Sequence, residues 1–342
     1  MLKKINLIVL IILIATVFYG CNKASEDVVY TGIYIFNENE NIKSDYIPDE
    51  DIALSDLVGQ SIDSCVIITS RGEEVIMDGN TILKKGEKGI QAEFDNIMVD
   101  DIVGIYIGDE IPGISKLYYD VKDSIDSEEK VLAVFLDGFS YEQYLILKQS
   151  DSLKFLNGVF LTPARSVYVP VTNAGFASMI TGTLPPVNGV YDRSYRGFNV
   201  ESIFGYAKSL DKKQLLIEGD IKILNTEIEP MLSVDANKNG DTDDEAYIAL
   251  IQAMEDDYDF LFVHFHGIDD RGHSYGPYAT ETMEYIELID EYLGQIDNFW
   301  GGKILIIADH GMHKTESSGD HGECRYEDMI VPYFIRESTN EK

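Results

Sequence analysis

The stretch Lys130-Val-Leu-Ala-Val-Phe-Leu136, which runs straight into Asp137-Gly138, decides the fold of this chain. An unbroken apolar run of that length suits a strand buried on both faces, the pattern of a central strand in a parallel sheet. Two more such runs follow at Phe260-Leu-Phe-Val263 and Lys303-Ile-Leu-Ile-Ile-Ala308, with a weaker one at Gln214-Leu-Leu-Ile217. Between the Phe260 and Lys303 runs, Met283, Ile286, Ile289, Leu293 and Ile296 recur at helical spacing, with Glu and Asp on the other face. Strands alternating with amphipathic helices predict an α/β layered domain with a mostly parallel central sheet, spanning residues 130–338.

Working outward, residues 52–125 alternate short apolar runs with turn residues. Ser64 to Thr69, Glu74 to Met77 and Ile102 to Ile107 read as strands, and Ser70-Arg71-Gly72 and Asp78-Gly79-Asn80 as turns. This predicts a small β-rich accessory domain without recognisable chemistry, a spacer or binding module. Residues 21–51, polar and rich in Asn, Glu and Asp from Asn37 to Asp51, read as a tether or linker. At the N-terminus Lys3 and Lys4 precede an apolar run, Leu7 to Tyr19, that is short for a bilayer span but suits a signal-peptide core. Phe18-Tyr19-Gly20-Cys21 resembles a bacterial lipobox, although Tyr19 is bulkier than the pattern usually has. Residues 1–20 are therefore expected to be a lipoprotein signal peptide, with an uncleaved membrane anchor as the alternative. Either places the protein outside the cytoplasm, membrane-anchored through lipid on Cys21 in the first case.

Sixty acidic residues against 27 Lys plus Arg give a formal net charge of −33 over 342 residues. No nucleic-acid-binding surface is expected of such a balance, because phosphate-backbone binding needs a basic face. Removal of residues 1–20 takes away Lys3 and Lys4 and no acid, so adhesion to an anionic lipid surface is disfavoured and a lipid on Cys21 becomes more necessary for retention. Cys65 and Cys324 fall in different predicted domains and form no Cys-x-x-Cys pattern, so free, partly buried thiols are expected.

Each strong strand ends in a carboxylate or a carboxylate with histidine. The first reaches Asp137, the second His264-Phe-His266-Gly-Ile-Asp269-Asp-Arg-Gly-His273, and the third Asp309-His310-Gly311. Ligand sites of open parallel sheets lie outside the carboxyl ends of the strands, so these groups are expected to converge. Alone, Asp137-Gly138 reads as a turn, Asp309-His310 as a loop pair and Asp269 to His273 as a helix start. Their joint occurrence points to a divalent metal site of carboxylate oxygens and imidazoles, without thiolates.

The order Asp137, Thr172, Asp269-x-x-Gly-His273, Asp309-His310-Gly-Met, His321 resembles the alkaline phosphatase superfamily, in its type I phosphodiesterase/nucleotide pyrophosphatase branch. Gly267-Ile-Asp269-Asp-Arg-Gly-His273-Ser-Tyr-Gly-Pro277 and the Asp309 to His321 segment are also similar to the enzymes that transfer ethanolamine phosphate onto GPI anchors. The resemblance implies an alkaline-phosphatase-like three-layer domain over residues 130–338 and two divalent ions. Asp137, Thr172, Asp309 and His310 would hold one ion, and Asp269, His273 and His321 the other; zinc is the family's commonest ion, with manganese the alternative. Such a pair clamps the attacking and leaving oxygens of an in-line phosphoryl displacement. Thr172 follows Pro170 where a helix is expected to open, so it would face a phosphate with N–H groups and a dipole behind it. Alone it reads as an N-cap; in the family's order it is the metal-activated nucleophile.

Two departures stand out. The nucleotide pyrophosphatases carry asparagine three residues beyond the nucleophile, where this chain has Gly175, with Asn173 nearby as the substitute phosphate contact; Asn188 also replaces a usual histidine. Arg165, Arg193 and Arg196 flank the nucleophile segment, and Arg193 is the candidate for gripping a second anionic group on the substrate. His264 and His266 are expected in core or supporting roles and His313 in a solvent-facing loop. Asp235-Ala-Asn237-Lys-Asn239-Gly240-Asp241-Thr-Asp243 imitates an EF-hand loop, but position 12 is Ala246 and Glu245 comes one residue early, so calcium binding and a plain acidic loop stay open. The expected function is a metal-dependent phosphoester hydrolase, most naturally a phosphodiesterase. The alternatives are a phosphoethanolamine-type phosphotransferase, a phosphomonoesterase, or, from another class, a non-catalytic metal- or ligand-binding surface lipoprotein.

Overall fold

The computed structural model describes residues 31–87, 89–108 and 111–339. The apolar leader at residues 1–20 and Cys21 lie outside the described residues. The apolar runs become strands of one sheet: β1 (Val131–Leu136), β2 (Phe160–Arg165), β3 (Gln214–Glu218), β4 (Met231–Leu232), β5 (Phe260–Phe265), β6 (Lys303–Ala308) and β7 (Ile330–Arg336), in the order β2-β7-β6-β1-β5-β3-β4. The five from β6 to β4 run parallel, and β7 is antiparallel to both its neighbours. Every residue of β1 and β5 is buried, as continuous apolar runs require.

The longer helices of this region are α1 (Lys116–Asp126), α2 (Tyr141–Gln149), α3 (Thr172–Thr181), α4 (Ile203–Ser209), α5 (Asp243–Ala253), α6 (Gly267–Tyr275) and α7 (Thr280–Phe299). The apolar stripe of α7, with Ile286, Ile289, Leu293 and Ile296 fully buried, joins Leu117 of α1, Phe176 of α3 and Leu250 of α5 in one core with the sheet. Among the described residues no helix is long and apolar enough to cross a membrane.

Register positions the site. Leu136 stands opposite both Phe265 and Ala308, so β1, β5 and β6 end at one level and deliver Asp137, His266 and Asp309 side by side.

The N-terminal region differs from its expected boundaries. Part of the presumed tether forms strands: Ile33–Phe36 pairs with Asn41–Tyr46 and, in parallel, with Ile102–Ile107, which continues through Cys65–Thr69 to Glu74–Met77 in a five-stranded sheet. A second sheet of Ile52–Ala53, Ile82–Lys85, Ile90–Phe94 and Ile97–Val99 lies against it, with Ile35, Cys65, Ile67, Leu83, Ala92 and Ile105 buried in one cluster. The opposite face of the larger sheet presents Phe36, Val66, Ile68 and Tyr106 to Cys324, Tyr326, Met329 and Ile330. Residues 116–125, placed in the β-rich region by sequence, belong to helix α1, which buries Leu117, Val121 and Ile125 in the α/β core. Cys65 and Cys324 are free, buried, and on opposite faces of the same sheet, so they do not pair.

Candidate metal centre

The sheet edge gathers the seven expected positions. Ligand atoms of Asp137, Asp309 and His310 lie within 4.8 Å of one another, as do those of Asp269, His310 and His321. His310 therefore stands between the two groups. Asp269 and His273 are four apart on α6, hence on one face, with His273 Nε2 3.4 Å from Asp269 Oδ2. Thr172 opens α3, and its hydroxyl lies 3.5 Å from Asp137 Oδ1.

The main chain fixes the tautomer of each imidazole. His310 donates its Nδ1–H to the Gly311 carbonyl at 2.9 Å, His273 to that of Gly319 at 3.2 Å, and His321 to that of Pro170 at 2.8 Å. The Nε2 lone pairs are thereby turned into the site, the arrangement that orients imidazole ligands. His264 Nε2 and His266 Nδ1 lie 3.1 and 3.2 Å from Asp137 Oδ2, which leaves Oδ1 facing Thr172 and His310. The His-x-His at the end of β5 thus supports Asp137, and His264 also stacks on Phe135 with ring centroids 3.7 Å apart.

Electrostatics argue for a cation here. Burial raises Asp137, but the hydrogen bonds of His264 and His266 and the neighbouring His310 outweigh it and hold the carboxyl well below the usual range. Burial, reinforced by the charge of Asp137, drives Asp269 and Asp309 well above it. Burial likewise lowers His310 to about 4 and His321 to about 2, so both are neutral, the form that ligates. Asp269 Oδ1, Asp309 Oδ2, His273 Nε2 and His310 Nε2 are buried without a hydrogen-bond partner. Orphaned atoms of this kind, all acceptors and converging on one place, fit divalent metal ions.

The substrate-contact candidates divide. Arg193 enters the site, with Nη2 2.5 Å from His321 Nε2. Asn173, expected to contact phosphate, is buried and donates to the Tyr195 carbonyl at 2.7 Å, so its amide anchors the loop that carries Arg193. Arg165 pairs with Glu74 at 2.6 Å, and Arg196 donates to the Ile223 carbonyl at 2.8 Å; both are committed elsewhere. The glycine found in place of the family's asparagine has a steric reason. A Cβ at Gly175 would come 2.6 Å from that of Asp309, because α3 packs directly on the end of β6.

Other expectations change as well. His313 is buried and sits 2.8 Å from Asp328 Oδ1, so it is not a solvent-facing loop residue. In the acidic loop Asp235 accepts from Asn239 and Gly240, Asn239 from Asp241, and Asp241 from Asp243, all backbone N–H groups. Sequence reasoning missed the role of its last residue. Asp243 is fully buried and accepts from the His266 and Gly267 N–H groups, both at 2.8 Å.

Comparison with known proteins agrees with this geometry. Residues 220–323, which contain Asp269, His273, Asp309, His310 and His321, match the metalloenzyme superfamily. GPI ethanolamine phosphate transferase 1 of Emericella nidulans is 34% identical over 74 residues, 20% of this chain and 8% of that protein. The catalytic subunit of human GPI ethanolamine phosphate transferase 3 is 31% identical over 85 residues, 24% of this chain and 8% of that one. This chain thus spans less than a tenth of the length of these relatives. Among solved structures, phosphonoacetate hydrolase from Sinorhizobium meliloti is 18% identical, with a TM-score of 0.46 over 56% of this chain and 59% of that one. Murine ectonucleotide pyrophosphatase/phosphodiesterase 5 is 17% identical, with a TM-score of 0.43 over 55% and 58%. A 2-O GAG sulfatase shares the fold at 11% identity and a TM-score of 0.50, over 63% and 66%. Residues 220–323 are thus similar to the metalloenzyme superfamily, and the α/β region has the parallel-rich mixed sheet expected of an alkaline-phosphatase-like domain.

Proposed function

We propose that this protein is a two-metal phosphoesterase acting on phosphodiesters, with Thr172 as nucleophile. The observation that carries the reading is the placement of Thr172: it opens α3, with its hydroxyl 3.5 Å from Oδ1 of Asp137, a candidate ligand. Asp137, Thr172, Asp309 and His310 would hold one divalent ion and Asp269, His273 and His321 the other, zinc or manganese. Bound there, the ions would lower the pKa of the threonine hydroxyl and offset charge developing on the attacking and leaving oxygens.

The remaining work falls to the chain. The first N–H groups of α3 face an incoming phosphate, and Arg193 supplies a guanidinium beside it. Thr172 Oγ1, its proton released to solvent, forms the bond to phosphorus as the bond to the leaving alcohol breaks, and that alcohol takes a proton from water. Water then breaks the phosphothreonine bond, returning the threonine hydroxyl and freeing a phosphomonoester. Transfer to an acceptor alcohol in place of water is the second reading, favoured by the names of the relatives that match this chain. Retention outside the cytoplasm by lipid on Cys21 belongs to the same proposal.

The test uses the full chain in detergent with added Zn or Mn, assayed on bis(p-nitrophenyl) phosphate and p-nitrophenyl phosphate. We expect turnover that favours the diester, and a loss of at least about a thousandfold in Thr172→Ala, which leaves Asp269, His273 and His321 to hold their ion. Metal binding without turnover of any ester, or turnover unaffected by Thr172→Ala, would sink the proposal and favour a non-catalytic binding protein.

A further inference from the structure

Helix α6 carries two candidate ligands, Asp269 and His273, and its N-terminus is built unusually. His266 is its N-cap residue and offers no side-chain cap. Counting from it, Gly267, Ile268 and Asp269 are the first three helical positions. A carboxylate at the third position can turn back to accept the N-cap N–H, as Glu does in a capping box. A carboxylate engaged that way would face its own helix end and not a metal.

Asp243 occupies that role from elsewhere in the chain. It is the first residue of α5, fully buried, and its Oδ1 accepts the His266 N–H while its Oδ2 accepts the Gly267 N–H, both at 2.8 Å. Tyr285 of α7 adds its hydroxyl to Oδ2 at 2.9 Å. The approach of that ring requires glycine at 267, since a Cβ there would meet the Tyr285 hydroxyl at 2.4 Å. With the His266 N–H already taken, Asp269 keeps Oδ1 buried and unpartnered, 3.6 Å from His321 Nε2. The same acidic loop grips α6 a second time: Arg271 Nη2 donates to Asp241 Oδ2 at 2.9 Å, its Nη1 to the Gly267 carbonyl at 3.1 Å, and its guanidinium lies 3.3 Å from the centre of the Tyr285 ring.

We infer that Asp243 is a positioning residue for the metal centre: it caps α6 in place of Asp269 and so frees the Asp269 carboxylate for ligation. The inference rests on the two-metal reading above, and it assigns the Asp235 to Glu245 loop a role as the clamp of the ligand helix. Because Asp269 and His273 ride on one helix face, loosening the cap displaces both.

Two measurements on the full chain in detergent test it. In chelator-competition titrations with zinc, wild type should bind two ions. Asp243→Ala should weaken one of them by about 10-fold or more, the range for residues that orient metal ligands, and leave the other within about threefold. Asp243→Asn, which keeps one acceptor oxygen, should fall between, and it carries the titration if the alanine variant does not fold. Wild-type affinity for both ions in these variants overturns the inference while leaving the proposed function intact; wild type that binds no ion overturns both. The second measurement needs no metal. A crystal structure of the metal-free Asp243→Ala or Asp243→Asn protein should show Asp269 turned back onto the His266 N–H, and an Asp269 still directed at His321 overturns the inference.

Discussion

Three imidazoles in this site give their Nδ1 hydrogens to main-chain carbonyls of Gly311, Gly319 and Pro170, so the direction of each lone pair is set by backbone and not by a neighbouring side chain. That explains why the candidate ligands were legible in sequence while their supports were not: a carbonyl acceptor leaves no mark in residue identity. His264 and His266 did leave one, as a His-x-His at a strand end, and the structure sets both on Asp137. Glu218 left none that sequence reasoning took up. It ends β3 at the same sheet edge, fully buried, with Oε1 accepting the Ile223 N–H at 3.2 Å and Oε2 without a partner. Burial pushes its carboxyl up to about 7, against an ordinary 4.5. The folded protein thus holds a proton there that the unfolded chain has already given up. The contribution to stability is full below pH 4.5 and lost as pH rises through 7. Glu218→Gln mimics the protonated form at every pH. Its stability relative to wild type should therefore improve by roughly 2–3 kcal/mol between pH 5 and pH 8. Urea midpoints at the two pH values, taken with chelator present, measure this; an offset that does not change with pH refutes it.

At the level of elements, strands buried on both faces announced themselves and the others did not. β2 and β7 contain Pro163 and Pro332, which reads against strand, yet the two prolines stand opposite each other. Two missing N–H groups cost least at a non-hydrogen-bonded pair, where neither would point at the partner. Asn41–Tyr46 passed for linker because it is an edge strand of largely solvent-facing polar side chains, and only its pairing with Ile33–Phe36 identifies it. Helix α1 follows the β-rich strands directly in sequence, whereas its buried face belongs to the α/β core. The contact between α3 and β6 has a consequence for Gly175, where a Cβ would lie 2.6 Å from that of Asp309. Gly175→Ala must push α3, which Thr172 opens, away from a candidate ligand. Overpacking of this kind costs about 1–3 kcal/mol. We expect a lower melting temperature together with a loss of diesterase activity disproportionate to the stability change, measured well below the melting point. A variant with wild-type activity would show that the α3–β6 spacing does not set the geometry of Thr172.

On the scale of the whole molecule, the net charge of −33 and the buried carboxylates of the site pose the same problem at different depths. On the surface the acids are solvated; at the sheet edge Asp137 and Asp309 are buried and Asp269 nearly so, and with Asp137 held ionised by its histidines the other two need a cation to ionise beside it. The β-rich region is joined to that centre chiefly through the segment that follows His321. His321 is followed within a few residues by Cys324, Tyr326, Met329 and Ile330, which pack on Phe36, Val66, Ile68 and Tyr106 of the five-stranded sheet. Arg165 and Glu74 add a largely buried ion pair across the same boundary, and Asn41 bonds to Glu327 and to the Tyr326 N–H. Breaking the interface would expose the apolar residues and part Arg165 from Glu74 and from the Tyr106 ring it lies over. Neither region can then unfold without removing support from the other. Scanning calorimetry should accordingly show a single transition for the whole chain. On the proposed function the folded site alone binds ions, so zinc at a hundredfold its dissociation constant should stabilise that transition by about 2.7 kcal/mol per ion, and a chelator should reverse the shift. Two transitions, with only the α/β one responding to zinc, would mean that the β-rich region folds independently and that its contact with the His321 segment transmits nothing to the metal centre.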